Sequence, residues 1–261
     1  MAAETQYTAN TGAVAIATAN TNLDGTGTLG TVLTGASNGT LIVSVTIKAI
    51  VNTTQGMVRL FVNGGGTTQL IAEIEIPAVT KSGDDPAFET RLPLNYALKS
   101  GYILKASTEK AETFNVIGEG LDWVYYASSV RPESTEFTAN TGMTTISTAN
   151  TNLDGSGTLG TVLTAASNGT SIQSITIKSQ VTTSVGMVRI YVYDGSSTAK
   201  LLAEVRVPAV TKSATAHSFT HKITFGGDGF ALKAGWALKA STQIGEAFNV
   251  IAEGLDWTYP A

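Results

Sequence analysis

Apolar and polar residues alternate along most of this chain, in short runs separated by turn residues. A period of two places successive side chains on opposite faces of a β-strand, and the Val, Ile and Thr in the runs favour strands over helices. Asn-Gly, Asp-Gly and Gly-Gly pairs between the runs supply the positive φ angles of tight turns. The pattern predicts strands in the first half of the chain at 6–9, 13–18, 28–34, 41–50, 57–62, 70–76, 88–92, 102–107 and 114–125. Alternation predicts that Val43, Val45 and Ile47 face one side of their sheet.

The whole pattern occurs twice. The run TANTNLDG at 18–25 returns unchanged at 148–155, and GLDW at 120–123 returns at 254–257. GTLGTVLT, GMVR, PAVTKS and FNVI recur between them in the same order, while the offset grows from 130 to 134 residues through insertions at glycine-rich turns. Surface loops between matching strands tolerate such insertions. The chain is therefore a tandem duplication.

The sequence of each copy predicts an all-β domain. A repeat of this length exceeds the roughly 20–50 residues of a solenoid unit, so each copy buries its own core. Eight or nine short strands predict a two-layer antiparallel β-sandwich, with jelly-roll topology favoured and an immunoglobulin-like sandwich as the alternative. We predict one domain at 1–127, a short linker at 128–133 and a second, homologous domain at 134–261.

Composition argues against several classes of function. The net charge is −4 and the 16 Lys and Arg are scattered, which predicts no direct contact with nucleic acid. Cysteine is absent, which excludes disulfides, thiolate metal sites and cysteine nucleophiles. No apolar run approaches the roughly 18 residues of a membrane span, and the first residues lack the features of a secretory signal. We expect no membrane partner, and folding in a cytoplasm.

Each copy contains a motif with the spacing of the first half of a calcium loop. The candidate ligands are Asn20, Asn22 and Asp24 in the first copy and Asn150, Asn152 and Asp154 in the second. The twelfth position, where such loops carry a bidentate Glu, is Thr31 in the first copy. Because each loop has one carboxylate, a turn capped by Asn and Asp side chains is favoured over a metal site. We expect no cofactor.

Candidate catalytic residues are few. Glu119 and Asp122 form a carboxylate pair near a Trp, but residues three apart in a strand face opposite sides of the sheet. His217 and His221 are the two histidines, and both lie in the second copy, where a solvated sheet face explains them better than a metal pair. No nucleophile elbow, Walker loop or dinucleotide fingerprint occurs. The sequence predicts a protein that is not an enzyme.

Aromatic residues supply the remaining candidate contacts. Trp123 and Trp257 end the two copies in the same context, which is typical of a core residue at a domain end. Trp236 has Tyr102 as its counterpart in the first copy. These two residues are the candidates for stacking on a ligand such as a sugar, with packing on a neighbouring segment as the alternative.

The runs TANTNLDGTGTLGTVLT, GMVRLFV, LIAEIEIPAV and GYILKASTEKAETFNVIGEGLDW resemble small β-sandwich proteins encoded among the structural genes of tailed bacteriophages. The resemblance covers each copy and rests on packing and turn residues, so it carries over no site residues. It implies a virion component made in the host cytoplasm. A capsid decoration (cement) protein, which binds the major capsid protein or other virion proteins and reinforces the shell, is the role it favours.

Duplication itself suggests assembly, because two like domains offer like surfaces. Three chains would set six similar domains around a threefold axis, so a homo-oligomer is expected and a trimer is favoured. The alternatives are a carbohydrate-binding module, a phage adhesin or head fibre, and a major capsid protein built of two tandem jelly rolls. A hydrolase that acts through Glu119 and Asp122 is the least favoured interpretation.

Overall fold

The strands of the first repeat follow its alternating runs, because branched side chains suit the extended backbone of a sheet. The computed structural model describes residues 6–124, 136–196, 198–212, 218–226 and 229–258. The strands of the first repeat are β1 (Gln6–Ile16), β2 (Gly30–Thr34), β3 (Thr40–Ala49), β4 (Gly56–Gly64), β5 (Thr67–Ile76), β6 (Glu89–Leu98), β7 (Ile103–Thr108) and β8 (Phe114–Val124).

The second repeat forms the same strands with one difference. Its strands are β9 (Glu136–Ile146), β10 (Gly160–Thr164), β11 (Thr170–Ser179), β12 (Gly186–Tyr193), β13 (Lys200–Val207), β14 (Thr220–Thr224), β15 (Phe230–Leu232), β16 (Ala237–Thr242) and β17 (Phe248–Thr258). Two short strands, β14 and β15, take the place of β6, and both pair with β11. The glycine-rich insertion in the TFGGDG run separates them.

Each repeat has jelly-roll topology. In the first repeat the antiparallel sheets have the orders β1-β8-β3-β6 and β2-β7-β4-β5, and in the second the orders are β14-β11-β17-β9 and β10-β16-β12-β13. Strands that follow one another in the chain mostly alternate between the two sheets, as in a jelly roll of eight strands. The all-β prediction and the favoured topology are confirmed, and the immunoglobulin-like alternative does not apply.

The core of the first repeat lies between its sheets. Its fully buried side chains include Ile42, Val45, Ile47, Val58, Leu60 and Leu104. Burial of each such side chain contributes about 1.5–3 kcal/mol. Phe61 and Phe114 are buried with these aliphatic residues, and several polar side chains of the same strands, such as Thr40 and Ser44, are buried too.

The predicted break at 10–12 is absent, because β1 continues from Gln6 to Ile16 and pairs with β8 along its whole length. Gly12 lies within this strand. A Cβ at Gly12 would lie 1.9 Å from the carbonyl oxygen of Val32 in the opposite sheet. Glycine is required here for close approach of two backbones, and not for a turn.

Two further details differ from simple alternation. The pairing register of β3 shifts between Ile42 and Ser44, which leaves Val43 in a β-bulge. Ile42 is therefore fully buried with Val45, whereas Val43 is half-buried. The strand predicted at 88–92 is also longer than expected, because β6 continues to Leu98 along β3.

The chain forms two compact units. The first comprises Met1–Val79, Phe88–Thr138 and Trp257–Ala261, and the second comprises Thr80–Ala87 and Ala139–Asp256. The segment Thr80–Ala87, which lies between β5 and β6 in the chain, thus belongs to the second unit. The predicted linker at 128–133 falls outside the described residues. None of the described residues forms a helix that is long and apolar enough to cross a membrane.

Candidate functional site

Asn20 organises the loop between β1 and β2. Its Nδ2 donates to the carbonyl oxygens of Thr26 and Thr28 at 2.9 and 3.0 Å, and its Oδ1 accepts the N–H of Asn22 at 3.0 Å. Asp24 Oδ1 accepts the N–H and the hydroxyl of Thr26 at 3.0 and 2.7 Å. These candidate ligand oxygens of Asn20 and Asp24 therefore accept hydrogen bonds from the loop itself, as turn-capping side chains do.

The second repeat builds the same loop. Asn150 Nδ2 donates to the carbonyl oxygen of Ser156 at 2.9 Å, and its Oδ1 accepts the N–H of Asn152 at 3.0 Å. Asp154 Oδ1 accepts the hydroxyl and the N–H of Ser156, which together hold the pKa of Asp154 below its usual range. Among the residues that the structure describes, no group of three or more His, Asp or Glu is arranged to hold a metal ion.

Both loops are fastened by a buried arginine. Arg59 Nη1 donates to the carbonyl oxygen of Asn20 at 3.3 Å, and Arg189 Nη1 donates to that of Asn150 at 2.9 Å. In the second repeat the hydroxyl of Tyr191 also donates to this loop at 2.9 Å, and burial raises the pKa of this phenol. We call the loops between β1 and β2 and between β9 and β10 the asparagine loops. They therefore pack on the sheets that contain β4 and β12.

Glu119 is held within the sheet of the first repeat. Its side chain is 1% exposed, Oε1 accepts the hydroxyl of Ser44 at 2.7 Å and Oε2 accepts Arg91 Nη2 at 2.9 Å. Arg91 Nε also donates to Ser44 Oγ at 3.0 Å, which closes the network. Both carboxylate oxygens of Glu119 therefore have partners within the sheet, and the network links β3, β6 and β8.

Asp122 has separate partners. Its Oδ1 accepts Asn10 Nδ2 at 2.8 Å and the Thr40 hydroxyl at 2.5 Å. Asp256 makes the equivalent contacts in the second repeat. Because Glu119 and Asp122 belong to different networks, they do not form the paired acid and base that a hydrolase needs.

Glu253, the counterpart of Glu119, is more accessible. Its Oε2 accepts the hydroxyl of Ser174 at 2.6 Å and Lys222 Nζ at 3.1 Å, and the side chains of Lys222 and Glu253 are each 51% exposed. The Ser174 hydroxyl, followed by Lys222, lowers the pKa of Glu253. The same network thus recurs in a solvated form.

Tyr102 and Trp236, the candidate stacking residues, lie in equivalent turns before β7 and β16, and both are half-buried. The N–H of Tyr102 donates to the Lys99 carbonyl and that of Trp236 to the Lys233 carbonyl, each at 3.0 Å. A Cβ on Gly64 would lie 2.4 Å from the Tyr102 ring. One face of this ring therefore packs on the β4–β5 hairpin. Lys99 Nζ lies 5.7 Å from the centre of the same ring.

A shallow groove of about 510 Å³ lies beside the asparagine loop of the second repeat. Its walls include Ser156, Tyr193, Thr198 and Lys239. Lys239 Nζ lies 3.9 Å from the centre of the Tyr193 ring, within the range of a cation–π contact. This groove was not predicted from the sequence, although Tyr193 replaces Asn63 of the first repeat.

The two histidines do not form a described site. His221 is exposed on β14, where it pairs in register with Ile177 of β11. His217 lies outside the described residues. An exposed histidine on a sheet face is compatible with a solvated side chain.

The strongest difference between the repeats lies at a pair of equivalent ion pairs, which sequence reasoning missed. Arg59 Nε lies 2.8 Å from Glu73 Oε1, and Arg189 Nε lies 3.0 Å from Glu204 Oε1. The side chain of Glu73 is 41% exposed, whereas that of Glu204 is 3% exposed. Since all four residues occur in matching motifs, the repeat alignment alone gives no sign of this difference.

Comparison with known proteins gives distant structural likenesses. No family model and no curated protein matches the chain. The STIV major capsid protein aligns over 98% of this chain and 96% of its own, at 10% identity and a TM-score of 0.30. The major capsid protein P2 of bacteriophage PM2 aligns over 95% and 98%, at 12% identity and 0.25. The tandem CBM22-1–CBM22-2 domain of Paenibacillus barcinonensis Xyn10C aligns over 87% and 81%, at 12% and 0.25. Function does not follow from likenesses this distant.

Proposed function

We propose that this chain is a non-enzymatic structural protein of a bacteriophage particle, and specifically a decoration protein that binds an assembled capsid and reinforces it. One observation carries the proposal: the charged and amide side chains that recur between the repeats are used for internal hydrogen bonds. The recurring networks are Asn20–Asp24–Thr26 with Asn150–Asp154–Ser156, Asn10–Thr40–Asp122 with Asn140–Thr170–Asp256, and Arg59–Glu73 with Arg189–Glu204.

These networks make a rigid scaffold. Satisfied polar networks fix one arrangement of strands and loops, and a jelly roll with fixed loops presents the same surface to every partner. Catalysis needs groups that converge on one point, whereas Glu119 and Asp122 each serve a separate structural network. The duplication offers two such surfaces per chain, which suits repeated contacts on a shell of identical subunits.

Charge supports a position on the outside of the particle. With a net charge of −4 and 14% charged residues, the chain has no field that attracts packaged nucleic acid. The partner we propose is the shell formed by the major capsid protein, which is contacted through protein surfaces. Self-association into a trimer is compatible with this role.

Purified particles provide the test. We expect the chain in particles of the phage that encodes it, at a constant ratio to the major capsid protein, with cryo-electron microscopy density on the outer surface. Deletion of the gene should leave shells that assemble but break at lower temperature, and added protein should restore their stability. Absence from the particle, or density inside it, contradicts the proposal. Failure of any shell to assemble identifies a major capsid protein instead.

The groove beside the second asparagine loop favours one second candidate, a carbohydrate-binding module or adhesin. An aromatic ring with neighbouring hydroxyl and ammonium groups is suited to a sugar. On a glycan array, Tyr193→Ala should then abolish binding, while Tyr102→Ala and Trp236→Ala test the two aromatic residues singled out from the sequence. Wild-type protein that binds no glycan removes this candidate.

A further inference from the structure

Three polar side chains of the first repeat lie in a row across neighbouring strands. Lys48 of β3 is paired directly opposite Glu89 of β6 on one side and Asn115 of β8 on the other. Residues paired in this way lie on the same face of the sheet, with Cβ atoms about 4.5–5.5 Å apart. A lysine in the middle strand can therefore contact both of its neighbours. We call these three residues the Lys48 row.

Two members of the Lys48 row are shielded from water. The side chain of Lys48 is 0% exposed and Asn115 is 2% exposed, whereas the side chain of Glu89 is 40% exposed. Lys48 Nζ lies 3.3 Å from Glu89 Oε2. A buried ammonium group needs a counter-charge of this kind, because burial alone is unfavourable. The row therefore places a buried amine between a carboxylate and a buried amide.

The second repeat keeps the lysine and the asparagine of this row but has no carboxylate in it. Lys178 of β11 is paired with Asn249 of β17 and with Thr220 of β14, which replaces Glu89. Lys178 Nζ donates to Thr220 Oγ1 at 2.8 Å and to the carbonyl oxygen of Ser218 at 3.2 Å. Lys178 and Asn249 are half-buried, and Thr220 is exposed. The amine of the second repeat thus has a hydroxyl where the first repeat has a base.

The amide of Asn249 also has partners that its counterpart cannot have. Its Oδ1 accepts the hydroxyl of Thr145 at 2.9 Å and Gln180 Nε2 at 2.5 Å. In the first repeat Ala15 and Ile50 occupy these two positions, and their side chains cannot donate a hydrogen bond. The two rows therefore share a lysine and an asparagine and differ in the groups around them.

We propose that Lys48 and Asn115 become joined by an isopeptide bond, with Glu89 as the group that transfers the protons. A neutral lysine amine is a nucleophile, and an adjacent base activates it. The Glu89 carboxylate takes a proton from the Lys48 ammonium, and Nζ then attacks Cγ of Asn115. Nζ gives up two protons in all, which pass through the Glu89 carboxyl to the amide nitrogen of Asn115. The bond from Cγ to this nitrogen breaks, ammonium leaves, and Glu89 is again a carboxylate.

The fold supplies what this reaction needs. Strand pairing holds the amine beside the amide, so the two groups need not meet by diffusion. Because Lys48 and Asn115 are buried, water does not compete with the amine for Cγ. Nothing is oxidised or reduced, and no further reactant is required. The bond forms once in each chain and joins β3 to β8, the two central strands of their sheet. It therefore reinforces the first repeat and involves no catalytic turnover.

Intact-mass spectrometry of the purified full chain provides the first test, and it requires no particle, so its result does not depend on the virion role. After incubation at neutral pH until the mass is constant, the wild type should be lighter than its calculated mass by one ammonia. Glu89→Gln keeps the size of the side chain but removes the base, and Lys48→Arg removes the nucleophile, so both variants should keep their full mass. Lys178→Arg is the matched control in the second repeat, and it should lose ammonia as the wild type does.

Peptide mapping of the denatured wild type locates the bond, and it does so whether or not a variant folds. Trypsin should release one branched peptide in which Lys48 is joined to Asn115. The Asn-Gly pairs at 38–39, 63–64 and 168–169 could also lose ammonia by forming a succinimide, but each would leave a linear peptide. Circular dichroism establishes that Glu89→Gln and Lys48→Arg fold.

Three results overturn the proposal. They are a wild-type chain that keeps its full mass, a loss of ammonia without the branched peptide, and a branched peptide that still forms in Glu89→Gln.

Discussion

Gly12 lies where the backbones of the two sheets in the first repeat come closest. A Cβ would lie 1.9 Å from the Val32 carbonyl oxygen, and at Gly142 in the second repeat a Cβ would lie 2.1 Å from that of Val162. Gly12→Ala must therefore push β1 away from β2. We expect it to lower the free energy of unfolding by about 1–3 kcal/mol, measured by urea denaturation.

A glycine in open space provides the control for that substitution. A Cβ at Gly226 would meet no atom within 4 Å. Gly226→Ala should change the free energy of unfolding by less than about 0.5 kcal/mol. Equal effects of the two substitutions would show that the close approach of β1 and β2 does not constrain position 12.

The hydrogen bonds of Asp24 predict a dependence of stability on pH. The hydroxyl of Thr26, and then its N–H, hold the pKa of Asp24 below its usual range. Since folding lowers this pKa, the contact stabilises the fold above the usual carboxyl pKa and is lost as pH falls through the lowered value. Thr26→Val should raise the pKa of Asp24 towards its usual range in an NMR titration. Asp154, which keeps Ser156, should titrate as before.

The same network of strand residues occurs buried in the first repeat and exposed in the second, so the two can be compared. Arg91 pairs with Glu119, which is 1% exposed, whereas Lys222 pairs with Glu253, which is 51% exposed. Arg91→Ala leaves a buried carboxylate without its cation, and we expect a loss of about 2–3 kcal/mol. Lys222→Ala should cost less than about 1 kcal/mol.

Amide hydrogen exchange measures both losses within the intact chain. Arg91→Ala should speed exchange in β3, β6 and β8, and Lys222→Ala should leave β11, β14 and β17 nearly unchanged. Similar exchange in the two variants would mean that burial of the carboxylate does not set the strength of the network.

The strands were readable from alternation because side chains on a pleated backbone face the core at every second residue. The errors came from contacts between distant segments. Gly12 fell between the predicted strands at 6–9 and 13–18, but it marks the approach of Val32. The bulge at Val43 depends on how β3 pairs with β6 and β8. The local sequence predicts where a strand lies, whereas a bulge or a close approach depends on the segments that pair with the strand or pack on it.

For the whole molecule, the duplication was evident from the sequence, but the difference between the two repeats was not. Glu73 and Glu204 occupy the same place in the same motif, and their exposure differs because of Thr80–Ala87, far away in the chain from Glu204. The available signals were substitutions in the matching motifs near these ion pairs, with Gln243 in place of Glu109 and Ile244 in place of Lys110. Their meaning depends on which segment packs against each ion pair, and that is a property of the folded chain.

Gln243 lies beside the acidic segment Thr80–Ala87, because a Cβ on Gly83 would be 3.6 Å from Gln243 Nε2. This closeness predicts a coupling between Gln243 and Asp84 and Asp85. Gln243→Glu restores in the second unit the carboxylate that the first repeat carries, close to Asp84 and Asp85. Repulsion should lower the stability of the second unit by about 0.5–1 kcal/mol at low salt. Asp84→Thr with Asp85→Ala gives the segment the residues of the second repeat, and in this background Gln243→Glu should cost less. The cost that remains reflects burial of the new carboxylate, because Gln243 Oε1 is buried.

The difference between the two costs is the coupling energy of a double-mutant cycle, measured by denaturation at several salt concentrations. It should fall as salt screens the charges, because the segment lies at the surface of the unit. A coupling that salt does not change would point to altered packing of Gln243 and not to charge. A coupling of zero would mean that Gln243 and the two aspartates of Thr80–Ala87 do not interact through charge.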